Sequence, residues 1–180
     1  MNKILIVGGT NGLGKHLTEH FNARGIGRSN GYTLPDAIDK VVTLSVDYNI
    51  IINCLPDVNQ NTIIKALWRK HVESNKDTYF ISIGSLSTKV EKYMTTKKEL
   101  VDITDKFWLE ETKCKHTLIA PANLEGVDLP FTPLKYDSVS KIINTLITLF
   151  NNDDYVLGTI EVVGKHVTDP NFKTTYGIEN

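Results

Sequence analysis

The chain opens with Lys3-Ile4-Leu5-Ile6-Val7 and passes directly into Gly8-Gly9-Thr10-Asn11-Gly12-Leu13-Gly14. The apolar, β-branched run has the length of a buried strand. Because glycines follow at once, it falls far short of a secretory or membrane-spanning segment. From Leu13 to Arg24, apolar Leu17, Phe21 and Ala23 are spaced among polar residues, and Gly25 can stop the segment, which predicts a helix. Glycines between strand and helix permit positive φ and let the backbone approach a ligand closely. A helix beginning there aims unpaired N–H groups and its positive dipole end at an anion. Strand, glycine turn and helix together predict a pyrophosphate cradle beyond the carboxyl ends of the strands. On this reading Gly8, Thr10, Asn11, Gly12, Leu13 and Gly14 contact a nucleotide; a merely structural tight turn is the other reading.

Beyond the turn, strand and helix patterns alternate almost to the end. A very short strand is predicted at Ile26 to Arg28 and another at Tyr32 to Leu34, followed by a helix opening at Pro35-Asp36. Asn49 to Cys54 reads as a buried strand. Val58 to Glu73 reads as a helix with Ile63, Ile64, Leu67 and Trp68 on one apolar stripe. A strand at Thr78 to Ile83, a helix near Val90 to Glu111 and a strand at His116 to Ala120 follow. A helix at Ser138 to Phe150 and a strand at Leu157 to Val163 close the chain, with Pro130 to Pro133 as a loop. The alternation predicts an α/β fold: a doubly wound parallel sheet of about seven strands with helices on both faces. Without repeats or linkers, residues 1–180 are expected to form a single domain.

Composition narrows the function. A formal net charge of −1 gives no reason to expect nucleic acid or an anionic membrane as partner. Cys54 and Cys114 are too few for a disulfide framework or a zinc site, and are expected as reduced thiols. Cytoplasmic residence is the default expectation.

The spacing Gly8, Gly12, Gly14 resembles the GxxxGxG turn of the short-chain dehydrogenases/reductases, a Rossmann-type family. Tyr93-Met94-Thr95-Thr96-Lys97 resembles their YxxxK motif. Residues i and i+4 share a helix face, so Lys97 stands one turn from Tyr93. A free tyrosine, with a pKa of about 10, exchanges protons poorly near neutrality. A neighbouring ammonium favours the phenolate and lowers that pKa. The resemblance makes Tyr93 the general acid/base and Lys97 the residue that tunes it and binds the nicotinamide ribose. It makes Ser85 the residue that orients the reacting oxygen, with Ser82 and Ser87 as competitors because the spacing to Tyr93 is short for the family.

The likeness extends along nearly the whole chain. Ile52-Asn53-Cys54-Leu55 stands where the family has Asn-Asn-Ala-Gly, so Asn53, Cys54 and Leu55 are assigned to the adenosine ribose and the central strand; a turn former is the other reading of Asn53. Ala120-Pro121-Ala122-Asn123 resembles the Pro-Gly segment, placing Pro121, Ala122 and Asn123 beside the nicotinamide. Asn59 is the nearest counterpart of the family's water-holding asparagine, with Asn61 and a helix-capping role in competition. The resemblance also implies a homodimer or homotetramer built through the helices at Val58 to Glu73 and Val90 to Glu111.

Cofactor choice turns on Gly27-Arg28-Ser29. Members that prefer NAD(H) place a carboxylate at the end of the second strand to bind the ribose hydroxyls; here none occurs before Asp36. Arg28 can pair with a 2′-phosphate and Ser29 can donate to it, so NADP(H) is favoured over NAD(H). The function expected is hydride transfer to a small carbonyl or from an alcohol. A catalytically weak nucleotide sensor is the alternative, motivated by segments shorter than the family's. An epimerase or dehydratase on a nucleotide sugar is disfavoured by the short C-terminal portion. Leu86 to Lys92 and Asn123 to Tyr136 are expected to form the substrate pocket, with Leu124, Leu129, Phe131 and Leu134 as an apolar lid.

Overall fold

A computed structural model of the chain describes residues 2–55, 59–84, 94–121, 124, 134–152 and 158–162, with the backbone alone at 94–97. In chain order its elements are β1 (Ile4–Val7), α1 (Gly12–His20), β2 (Arg24–Ile26), α2 (Ile38–Ser45), β3 (Ile50–Asn53), α3 (Asn59–Glu73), β4 (Tyr79–Ile83), α4 (Met94–Trp108), β5 (Lys115–Pro121), α5 (Tyr136–Asn151) and β6 (Thr159–Val162). The strands form one sheet in the order β2-β1-β3-β4-β5-β6. Every pairing is parallel, with Ile4 opposite Ile50 and Ile50 opposite Tyr79 across the centre. The chain winds outward from β1 to β2, then crosses back to β3. The order therefore reverses between β1 and β3, where a doubly wound sheet opens a crevice.

Both faces are covered, which explains why the central strands read as uninterrupted apolar runs. The two-residue period sends Leu5, Val7, Ile51, Phe80 and Leu118 to a core that also holds Val41, Leu67 and Trp68 from α2 and α3, and Leu100 and Phe107 from α4. Ile6, Ile52, Ile81 and Ile119 point the other way, against Leu13 and Leu17 of α1 and Val139, Ile143 and Leu146 of α5. The apolar stripe foreseen on α3 is buried in full, and Trp68 stacks on Phe107 of α4 with ring centroids 4.0 Å apart. Among the described residues no helix is long and apolar enough to cross a membrane.

Two expectations at the β2 edge need correction. The second strand is Arg24–Ile26, not Ile26 to Arg28, because α1 ends at His20 and Asn22 turns the chain early with φ 47°. Arg28 lies instead in a 3₁₀ turn, Arg28–Asn30. Tyr32 to Leu34 is not a strand either; the described sheet has six strands, in line with the count of about seven expected. The reason lies in Asn30. Its side-chain nitrogen donates to the Gly25 carbonyl at 2.9 Å and its oxygen accepts the Gly27 N–H at 2.8 Å. One side-chain amide thus takes two edge groups that a neighbouring strand would use, and the Tyr32 N–H turns back to the Gly27 carbonyl at 3.1 Å.

Candidate functional site

The glycine turn sits at the carboxyl end of β1, beside the reversal point. Gly8 has φ +82°, a left-handed conformation that side chains rarely adopt, and its α-carbon faces the Cys54 backbone at the end of β3. Gly14 matters for another reason: a Cβ there would collide with the Gly8 carbonyl oxygen, so α1 leans directly on the turn. Asn11 caps the helix from extended backbone, its side-chain oxygen accepting the Gly12 N–H at 2.8 Å. The Thr18 hydroxyl lies 2.8 Å from the Gly14 carbonyl and 3.0 Å from that of Gly9, pinning the helix to the turn. First-turn N–H groups have no partner four residues back, so the helix presents donors at its mouth.

A cavity of about 550 Å³ opens over this turn. Gly8, Thr10, Asn11, Gly12, Leu13, Gly14, Arg28, Cys54, Leu55 and Asn59 all line it. Sequence residues scattered over three strand ends therefore meet in one cleft. Arg28 is the single charged side chain among the described lining residues, and no carboxylate joins it. Burial pushes the Cys54 thiol up to about 12, so it stays protonated and presents no negative charge to a phosphate.

Other assigned residues stand elsewhere. Ser29 is exposed in the 3₁₀ turn and lies outside the cavity wall. Asn53 is fully buried and also off the wall: its side chain donates to the Gln60 carbonyl at 3.1 Å and accepts the Leu55 N–H at 3.3 Å. Gln60 answers by donating to the Ile83 carbonyl at 2.7 Å, so these two amides bind the ends of β3 and β4 to the start of α3. The position of Asn61 is likewise inward, donating to Glu99 of α4 at 2.9 Å. Glu99 also pairs with Lys65, and both partners hold its carboxyl below the usual range. This staple fixes α3 against the helix whose backbone includes Lys97.

Ser82 is fully buried, and its hydroxyl lies 3.0 Å from Nε2 of His116. That partner is on β5 and stands edge-on to Phe107, so Ser82 faces the α3–α4 layer rather than the cleft. Pro121 ends β5 as a buried residue. Ser85, Ser87, Tyr93, Ala122 and Asn123 lie outside the described residues, as does the side chain of Lys97. Of the foreseen lid, Leu124 and Leu134 form a β-bridge and pack on the α1–α5 core; Leu129 and Phe131 lie outside the described residues.

Sequence reading missed Tyr32, Thr33 and Leu34, which line the cavity because they were displaced from the sheet edge. The signal was there: Gly31 and Pro35 bracket the segment, and such punctuation marks a loop.

Solved structures share this fold. A short-chain dehydrogenase from Leptospira borgpetersenii with bound NAD+ superposes with a TM-score of 0.69 at 14% identity, covering 91% of each chain. The chain has the fold of the short-chain dehydrogenases. A 4-hydroxyisoleucine dehydrogenase complexed with NADH and succinate matches at TM-score 0.67 and 15% identity, over 89% of this chain and 96% of that one. A short-chain dehydrogenase from Sphingobium yanoikuyae in complex with NADPH matches at 0.64 and 14% identity, over 98% and 93%. No family model and no curated protein sequence matches the chain. The short-chain dehydrogenase fold is thus carried by a sequence only 14–15% identical to these structures.

Proposed function

We propose that the protein is an oxidoreductase that binds NADP(H) in preference to NAD(H) and acts on a small carbonyl or alcohol. The observation that carries this reading is the cleft itself, a glycine turn and helix mouth facing about 550 Å³ of space in which Arg28 is the one charged residue among the described lining. The residues present fit a dinucleotide phosphate. A side chain at Gly14 would collide with the Gly8 carbonyl, α1 opens at the turn, and Arg28, a cation able to pair with a 2′-phosphate, lines the same cleft.

In this reading Gly12, Leu13 and Gly14 hold the pyrophosphate, Arg28 the 2′-phosphate, and Cys54 and Leu55 the adenosine ribose. Pro121, Ala122 and Asn123 flank the nicotinamide. The cofactor, when bound, supplies or accepts the hydride. Tyr93 gives a proton to the carbonyl oxygen, or takes one from the alcohol, while Lys97 lowers its pKa and Ser85 orients that oxygen. Asn59, on the cavity wall at the start of α3, is assigned to a water that returns the proton to solvent. Assembly into a homodimer or homotetramer belongs to the same reading.

Tyr93→Phe is expected to bind NADPH as the parent does while turnover on a carbonyl panel, followed by NADPH absorbance, falls at least about 100-fold. Near-normal turnover in this variant sinks the catalytic assignment. Tight NADPH binding with no turnover on any carbonyl favours the sensor.

A further inference from the structure

We infer that Tyr32 is the platform on which the adenine of the dinucleotide stacks, with Lys40 bracing the ring from the α2 side. The inference rests on the dinucleotide reading above and names the residue that recognises the base.

Tyr32 is the single aromatic residue among the described lining of the cleft. It also borders a second, shallower space of about 530 Å³ lined by Asp39, Lys40, Thr43, Leu44 and Asp47. A residue common to both forms the wall between them. Lys40 stands over the Tyr32 ring, its Nζ 4.7 Å from the centroid, and borders only the second space. The lysine therefore sits on the α2 side and leaves the cleft side of the tyrosine for a ligand.

The platform is also held in place. Its own N–H bonds to the Gly27 carbonyl at 3.1 Å, one residue before Arg28. Leu34, Val41 and Ile26 complete an apolar surround at that end of the cleft. An aromatic ring with apolar neighbours in the same cleft as Arg28 matches an adenine joined to a phosphorylated ribose. Both lie at the β2 end of the sheet, away from β4 and β5, whose ends lead to Ser85 and Ala122. Stacking of a base on an aromatic side chain is strong enough to be read in affinity, whereas an exposed cation–π contact contributes less.

The test uses the full chain with NADPH and 2′,5′-ADP. In the wild type, NMR of bound 2′,5′-ADP should show adenine H2 and H8 shifted upfield by the tyrosine ring current. Tyr32→Leu should weaken both ligands about tenfold or more and abolish the shift. Tyr32→Phe should keep affinity and shift, and Lys40→Met should weaken binding about two- to fivefold. Adenine protons without an upfield shift in the wild type overturn the inference even if the leucine variant fails to fold. So does wild-type affinity in a folded Tyr32→Leu protein, or an equal loss in Tyr32→Phe. A wild type that binds neither NADPH nor NADH instead sinks the dinucleotide reading itself.

Discussion

Between α1 and the end of β1 there is no room for a methyl group at position 14, where a Cβ would meet the Gly8 carbonyl. Gly14→Ala must therefore lift the helix from the turn and misaim its first N–H groups. Overpacking of this kind costs about 1–3 kcal/mol. Calorimetry should show a lowered Tm, and fluorescence titration should show NADPH binding weakened along with it. Arg28 makes a different prediction, because it is exposed and its backbone lies in a regular 3₁₀ turn. Arg28→Ala should leave Tm unchanged, weaken NADPH at least about tenfold and leave NADH nearly untouched, since a charge-assisted contact is worth about 1.5–3 kcal/mol. Equal affinities of the variant and the parent for NADPH would remove Arg28 from the site. The glycine turn was legible because its spacing is local. The inward aim of Asn53 was not, since it depends on Gln60, seven residues on, bridging to Ile83 of another strand.

Elements were read well where periodicity is long and poorly where the chain is short. The helix through Ile63, Ile64, Leu67 and Trp68 announces itself over four turns, and the structure starts it within one residue of the expected position. At the β2 edge three-residue segments carry too little pattern to separate strand from loop, and one side chain decides. Asn30 occupies the edge groups at Gly25 and Gly27, so Tyr32 to Leu34 cannot pair there. Asn30→Ala should free those groups. The expected loss is about 1–2 kcal/mol by urea denaturation for two exposed hydrogen bonds, accompanied by weaker binding of 2′,5′-ADP as the Tyr32 segment loosens. An unchanged midpoint together with unchanged binding would show that Asn30 does not hold the edge.

Across the whole molecule, two neutral histidines are built into the cores. His71 lies between the hydroxyls of Ser45, 3.0 Å away, and Thr78, 2.8 Å away. Burial, aided by Lys76 and Lys70, pushes its pKa down to about 4. Burial alone pushes His116 down to about 3. In the unfolded chain both titrate near 6.5, so below that pH the unfolded state binds protons that the folded state refuses. Their contribution to stability is thus fully present above pH 6.5 and is lost progressively as pH falls toward 4. Urea midpoints should be flat with respect to these groups above pH 7 and decline below 6.5. In a folded His116→Gln variant the slope between pH 6 and 4 should shrink by up to about 1.4 kcal/mol per pH unit. A slope identical to the parent's would show that His116 protonates freely in the folded state.

By itself the sequence determined the alternation of strands and helices, the glycine turn that opens α1, and the Tyr93–Lys97 spacing. Each of these is written in residues close along the chain, where period and steric freedom act directly. Only the tertiary structure decided that Ser82 faces His116, that Asn53 and Gln60 tie strand ends together, and that Tyr32 walls the cleft. Those outcomes depend on which strand lies beside which, and on buried polar groups finding partners from distant segments. The Gly8-to-Gly14 turn thus predicts that a cradle exists; the edge capped by Asn30 decides what forms its far wall.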